Sequence, residues 1–159
     1  MNDNSIPMTL NGYNKLQDEL KNLRNVERPA VINAISSARA LGDLSENAEY
    51  HSAKEKQSII ESRISEIENK LSKATIIDVS NIDSDVIKFG ASVEIVDDDT
   101  DVVSNFQIVG SDEADIKSGL LPITSPLARA LIGKKVDDSI DVHTPGGIKS
   151  YTILSVVYK

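Results

Sequence analysis

A seven-residue repeat runs through the first half of this 159-residue chain and dictates how that half must fold. From Ala53 the small or apolar positions run Ala53, Gln57, Ile60, Ile64, Ile67, Leu71 and Ala74, spaced 4, 3, 4, 3, 4, 3, with Gln57 the one polar interruption. A seam of that period belongs to a helix lying along another helix. A matching stripe lies upstream: Tyr13, Leu16, Leu20 and Leu23 step by 3, 4 and 3, and Val31, Ile35, Ala38 and Leu41 carry it onward. The short connector around Gly42 makes the two helices antiparallel neighbours, because a turn of a few residues cannot return the chain to a parallel start. Read as residues 45–74, the second helix would be ~45 Å long at about 1.5 Å per residue. Two arms of that length form a rod whose tip is Leu41-Gly42-Asp43-Leu44-Ser45-Glu46. Pro29 interrupts the first arm, removing one hydrogen bond and crowding the preceding turn, so a break or kink is expected near Glu27 and Arg28.

Residues 80–159 change character. After a polar connector through Asn81, Asp83, Ser84 and Asp85 come short β-rich runs separated by turn signals. Strands are expected at 75–79, 91–96, 105–109, 138–142 and 151–157, with turns at Asp97-Asp98-Asp99-Thr100-Asp101 and Thr144-Pro145-Gly146-Gly147. Ser125-Pro126-Leu127-Ala128-Arg129-Ala130-Leu131-Ile132-Gly133 has a Ser N-cap, Pro at the first helical position and Gly past the end, which predicts a short helix. The fold class is therefore α+β: a helical hairpin over 1–79, then an antiparallel sheet with one short helix over 80–159.

Composition narrows the chemistry. There is no cysteine, which removes disulfides, thiolate nucleophiles and Cys-based zinc sites and suits a reducing cytoplasm. The two histidines, His51 and His143, are far apart in sequence and leave little material for a metal site or a Ser/His/Asp triad. Phosphate-binding and nucleophile-elbow motifs are absent, so self-contained catalysis is not expected. The N-terminus MNDNSIPMTL has neither a basic n-region nor a long apolar run, and no stretch is long enough to span a membrane. Net charge is −8, which argues against a surface that coats DNA. Residues 1–79 carry 10 basic and 12 acidic residues, whereas 80–159 carry 7 and 13, so most of the excess acid sits in the second half.

The tip acids are the candidate chemistry. Asp43 and Glu46, three residues apart, project to one side of a helical turn, and two converging carboxylates suit a hard cation such as Mg²⁺. Mg²⁺ takes octahedral oxygen ligands at ~2.0–2.1 Å, so two carboxylates make half a site that something else must complete. The same spacing is also a capping box, in which Asp43 accepts from the Glu46 N–H and Glu46 reaches back to the Asp43 N–H. Spacing alone favours the cap, and both roles can hold in turn.

These residues also carry a resemblance. Ala38-Arg39-Ala40-Leu41-Gly42-Asp43-Leu44-Ser45-Glu46-Asn47-Ala48-Glu49-Tyr50 resembles the coiled-coil tip of the Gre transcript cleavage factors. The Ser125–Gly133 run followed by Asp137-Asp138 resembles that family's second signature, and the likeness extends through Arg28-Pro29 and Thr144-Pro145-Gly146-Gly147. The resemblance implies an antiparallel coiled coil and an FKBP-like C-terminal domain that docks on the rim of RNA polymerase. It further implies that the rod enters the secondary channel of the polymerase. There Asp43 and Glu46 help hold a Mg²⁺ shared with the active site, and the polymerase cleaves the 3′ end of backtracked RNA. Nothing in the resemblance gives the chain a cofactor of its own, and a monomer is expected. Arg39 and Lys54, with Lys56 nearby, match positions that contact the extruded RNA, and Leu41, Gly42, Leu44 and Tyr50 match the support of the tip. Few basic residues fit the GreA type over the more basic GreB type, which implies short backtracked fragments.

Other readings stand beside this one. Arg39, Lys54 and Lys56 can also be read as solvated helix charges, and Tyr50 as packing across the hairpin. Glu49 complements the positive end of the second helix. Arg129 is either a docking cation or a solvated charge. The chain could instead be a coiled-coil adaptor or holdase, a channel-binding inhibitor that does not promote cleavage, or a prolyl isomerase. The last needs an aromatic pocket, and residues 80–159 offer just Phe89, Phe106, Tyr151 and Tyr158 with no Trp.

Overall fold

The computed structural model describes residues 5–159, with the backbone alone at Asn81. The first four residues of the N-terminal stretch read above lie outside this range. The chain forms two compact units, one spanning Tyr13–Ala74 and the other Thr75–Lys159 with the described residues before Tyr13. The boundary expected after residue 79 thus falls at 74/75, and the N-terminal strand joins the sheet unit. The reason is a long-range pairing: β1 (Ile6–Thr9) lies beside β2 (Ala74–Ile77). β1 has four residues including a proline, too few to show an alternation in sequence.

The hairpin unit is built as the heptads require. The first arm runs from α1 (Leu10–Asn22) through a π-helical turn, Leu23–Glu27, into α2 (Arg28–Arg39), and α3 (Ala48–Ser72) returns antiparallel to it. Leu16, Leu20, Val31, Ile35 and Ala38 on one arm, and Ala53, Ile60, Ile64 and Ile67 on the other, are buried. Pro29 does not break the arm. The irregularity lies near Glu27 and Arg28 as expected, but it is the π turn, in which the Arg28 N–H donates to the Leu23 carbonyl. The wider turn delivers Pro29 into the first turn of α2, where its missing N–H costs little.

Ion pairs flank the seam on both sides. Arg28 makes a bidentate contact with Glu61 at 2.8 Å through each nitrogen, and Arg24 reaches Glu68 at 2.7 Å. Arg63 clamps Glu19 at 2.6 and 2.8 Å, and Lys56 lies 4.0 Å from Glu27. Within each flank the order is opposed, Arg24–Glu68 then Arg28–Glu61 along one and Glu19–Arg63 then Glu27–Lys56 along the other, as an antiparallel pairing requires, and charges beside an apolar seam help select such a pairing.

α3 is shorter than predicted, 25 residues or ~37 Å at about 1.5 Å per residue, because it begins at Ala48 rather than 45 and ends at Ser72 rather than 74. Leu41 does not extend the apolar stripe: α2 has ended at Arg39, and Leu41 is 67% exposed.

The second unit is a five-stranded curled sheet in the order β5-β4-β3-β7-β6. Its strands are β3 (Ser92–Asp97), β4 (Val103–Val109), β5 (Leu120–Pro122), β6 (Ser139–Thr144) and β7 (Gly147–Val157). β3, β4, β6 and β7 pair antiparallel as expected, but β5 lies parallel to β4, so the sheet is not wholly antiparallel. Three residues ending in Pro122 gave no strand signal, and proline is tolerated there because β5 is an edge. A bulge in β7 between the partners of Glu94 and Ile95 turns Leu154 outward and keeps Ile153 in the core.

The short helix α4 (Pro126–Leu131) has the expected cap: Ser125 Oγ accepts from the Ala128 N–H at 3.1 Å. The chain leaves the helix at Ile132, with φ −56° and ψ 129°, and Gly133, with φ +87°, takes the third place of a turn closed by the Lys134 N–H on the Leu131 carbonyl at 3.0 Å. Ala128 and Leu131 pack on Ile87, Ile95, Ile108, Ile140 and Ile153. No helix among the described residues is long and apolar enough to cross a membrane.

Candidate functional site

The site grows out of the link between α2 and α3. After Arg39 the chain must reverse within a few residues, and Gly42 supplies a φ of +138° that a side chain would oppose. Asp43 is extended, at φ −61° and ψ 125°, and caps a single 3-10 turn, Leu44–Glu46. Its Oδ1 accepts from both the backbone N–H and the hydroxyl of Ser45, each at 3.0 Å. The expected capping box between Asp43 and Glu46 is therefore not formed. The donor nearest Asp43 lies two residues on, in an Asx turn, and the long helix begins one residue after Asn47 instead.

Those two donors hold the Asp43 carboxyl below its ordinary pKa, so it stays ionised into acid. One of its oxygens is engaged by Ser45. Asp43 and Glu46 are both exposed and line one open concavity of about 380 Å³ with Leu41, Gly42, Asn47, Ala48 and Glu49. Glu49 also stands in the first turn of α3, where its charge meets the positive helix end.

Oxygen donors of this kind suit a hard cation. Among the described residues, however, no group of three or more His, Cys, Asp or Glu side chains is gathered to hold a metal ion. Asp43 and Glu46, which line the same concavity, could supply carboxylate oxygens to such an ion.

The supporting residues fall in different places. Asn47 carries two bonds: Oδ1 accepts from the Tyr50 N–H at 3.0 Å and Nδ2 donates to the Ala38 carbonyl at 2.5 Å. Sequence reasoning passed over it, although Asn is a strong N-cap residue and stands just ahead of the α3 periodicity. Arg39, in the last turn of α2, has its guanidinium carbon 5.8 Å from the centroid of the Tyr50 ring, and His51 meets that ring edge-on at 5.6 Å. Tyr50 thus packs across the hairpin. Leu44 is 39% exposed and, like Leu41, is not packed into the hairpin interior.

Lys54 is exposed on α3 and donates to Gln57 Oε1 at 3.3 Å, whereas the Lys56 charge is directed at Glu27. On the sheet unit, His143 lies on β6 opposite Ile148. Arg129 is exposed on α4. Tyr151 and Tyr158 pack against the core, and Tyr158 donates to the Val86 carbonyl at 2.6 Å. An open concavity of about 510 Å³ on the sheet is lined largely by polar side chains such as Glu94, Asn105 and Gln107, with Phe106 its one aromatic. That is poor material for a proline-binding pocket.

Comparison with known proteins covers both units. Residues 6–76 match the family described as transcription elongation factor, N-terminal, and residues 82–158 match transcription elongation factor, GreA/GreB, C-terminal. Transcription elongation factor GreA of Caulobacter sp. (strain K31) is 57% identical over 151 residues, covering 95% of this chain and 96% of the relative. GreA of Beijerinckia indica is 58% identical over 153 residues, covering 96% and 98%. Among solved structures, GreA factor homolog 1 of Thermus thermophilus aligns over 96% of this chain and 98% of its own, at 25% identity and a TM-score of 0.44. With both units matched in order and relatives more than half identical along almost the whole length, the chain belongs to the GreA/GreB family of transcription elongation factors.

Proposed function

We propose that this elongation factor acts on RNA polymerase, inserting its helical hairpin into the secondary channel and stimulating the polymerase to cleave the 3′ end of backtracked RNA. The observation that carries the reading is the placing of Asp43 and Glu46, both exposed, on one concavity at the end of a narrow two-helix arm. Among the described residues no third side chain is gathered with these two carboxylates into a metal site, and part of a site is all a factor needs if the polymerase holds the remainder. Asp43 and Glu46 would hold the Mg²⁺. When bound between factor and polymerase, that ion supplies the second metal of two-metal phosphoryl chemistry, activating water or stabilising the leaving oxygen.

The chain's own residues bind, orient and expose. Ser45 fixes one oxygen of Asp43 through its N–H and hydroxyl, leaving the other to be presented. Arg39, seated on Tyr50, and the exposed Lys54 lie behind the acids on the two arms, where the phosphates of an extruded RNA would pass. The sheet unit, with most of the excess acid, docks on the protein rim away from nucleic acid. The factor works as a monomer in the cytoplasm and brings no cofactor of its own.

The test uses stalled, backtracked elongation complexes with wild type, Asp43→Asn and Glu46→Gln. Wild type releases short 3′ RNA fragments in a Mg²⁺-dependent manner, and each variant loses most of that activity while still competing for polymerase. Variants that cleave normally would exclude the metal-ligand role. A wild type that binds without cleaving would select the inhibitor reading.

A further inference from the structure

We infer that Asn47 is a positioning residue for the tip acids, a clasp whose amide ties the last turn of α2 to the first turn of α3 and so sets where Asp43 and Glu46 stand. The inference rests on the reading of those acids as metal ligands.

The chain from Arg39 to Glu46 is exposed throughout. Its two large apolar residues, Leu41 and Leu44, are 67% and 39% exposed, so hydrophobic packing does little to anchor the turn. The bonds Asp43 makes are local, to Ser45 two residues on. Asn47 is different in kind. It is half-buried, and its side chain bridges residues on both arms, donating to Ala38 O nine positions back and accepting from Tyr50 N three positions on. The acid-bearing turn is closed between those two points. The same Ala38 carbonyl accepts from the Leu41 N–H at 3.1 Å, so the start of the turn and the clasp share one anchor.

The amide is needed for this because it carries a donor and an acceptor on one short stem. Aspartate would keep the acceptor that caps α3 and would suit the positive helix end even better. It would lose the donor, however, and point a charged oxygen at the Ala38 carbonyl. Serine would keep a helix cap without added charge and would not reach Ala38. A residue that serves merely as a cap therefore tolerates both changes, and a clasp tolerates neither.

The experiment compares wild type, Asn47→Asp, Asn47→Ser and Asp43→Asn. In the free protein, both Asn47 variants keep full helicity by circular dichroism, while backbone order parameters at residues 41–46 fall from about 0.8 to below about 0.6. On backtracked complexes at limiting Mg²⁺, cleavage falls about 10- to 100-fold, as expected for a misplaced reacting group. The Mg²⁺ concentration for half-maximal cleavage rises several-fold, and competition for polymerase changes less than about two-fold. If Asn47→Asp and Asn47→Ser leave order parameters and Mg²⁺ dependence unchanged while Asp43→Asn is inactive, the clasp is wrong and the acid reading survives. If Asn47→Asp is impaired but Asn47→Ser is not, the loss comes from added charge and the clasp is likewise wrong. If Asp43→Asn is fully active, it is the reading of the acids that fails.

Discussion

Replacing Gly12 by alanine is expected to destabilise the protein, against the usual preference of a helix. Gly12 lies in the first turn of α1, where alanine ordinarily gains about 0.5–1 kcal/mol over glycine. Here a Cβ would stand 2.1 Å from Cδ of Glu113, so that side chain must leave. Glu113 is well occupied. It accepts from the Thr9 N–H at 3.0 Å, from the Thr9 hydroxyl, and from the Gly110 N–H at 3.2 Å. Thr9 is 5% exposed, and its Oγ1 in turn accepts from the Gly12 N–H at 3.0 Å. Hydrogen bonds to a charged group contribute about 1.5–3 kcal/mol each. Discounted for partial exposure, losing this set costs about 2–4 kcal/mol, which leaves Gly12→Ala about 1–3 kcal/mol less stable after the helix gain. For a chain of this size that lowers Tm by roughly 3–10 °C. Thermal unfolding followed at 222 nm measures it. The double-mutant cycle with Glu113→Ala isolates the cause: without the Glu113 side chain, Gly12→Ala becomes neutral or stabilising by up to about 1 kcal/mol. A rise in Tm for Gly12→Ala in the otherwise wild-type protein would refute the reasoning.

Two further stability predictions follow from the hairpin. Ile67 is fully buried on the seam, so Ile67→Ala loses about 2–5 kcal/mol, read as a reduced midpoint in urea unfolding with little change in slope. Glu19 is held below its ordinary pKa by its bond from Arg63. A carboxyl lowered in the folded state contributes stability above its unfolded value near about 4.3, and that contribution disappears as pH falls through the folded value. Glu19→Gln should therefore cost about 0.2–1 kcal/mol at pH 7 and progressively less below about pH 4. A cost independent of pH would show that the ion pair is not its source.

The parts legible in the sequence are those whose cause is local or periodic. The heptad steps through Ile60, Ile64 and Ile67 name the residues that are buried, and Ser125, Pro126 and Gly133 bracket α4 because caps act within one turn. What escaped depends on residues brought together by folding. The Arg28–Glu61 and Arg63–Glu19 pairs span 33 and 44 positions and exist once the arms are in register. β1 and β5 are short, contain proline and owe their existence to distant partners. At the site, the positions of Asp43 and Glu46 follow from motif and turn, but their geometry does not. Ser45 outcompetes Glu46 as the partner of Asp43, and the reach of Asn47 to Ala38 has no sequence signal until the hairpin closes.

If the proposed role is right, the tip of this hairpin stands at the 3′ end of the RNA inside the polymerase. Because the chain has no cysteine, a single Leu41→Cys substitution places one iron chelate beside the acids, on a side chain that is already exposed. Hydroxyl radicals generated from that label in a backtracked complex should cut the nascent RNA within a few nucleotides of its 3′ end, and the same label at Lys117→Cys on the sheet unit should leave the RNA intact. A Leu41-labelled factor that binds the polymerase and cuts no RNA would contradict the account.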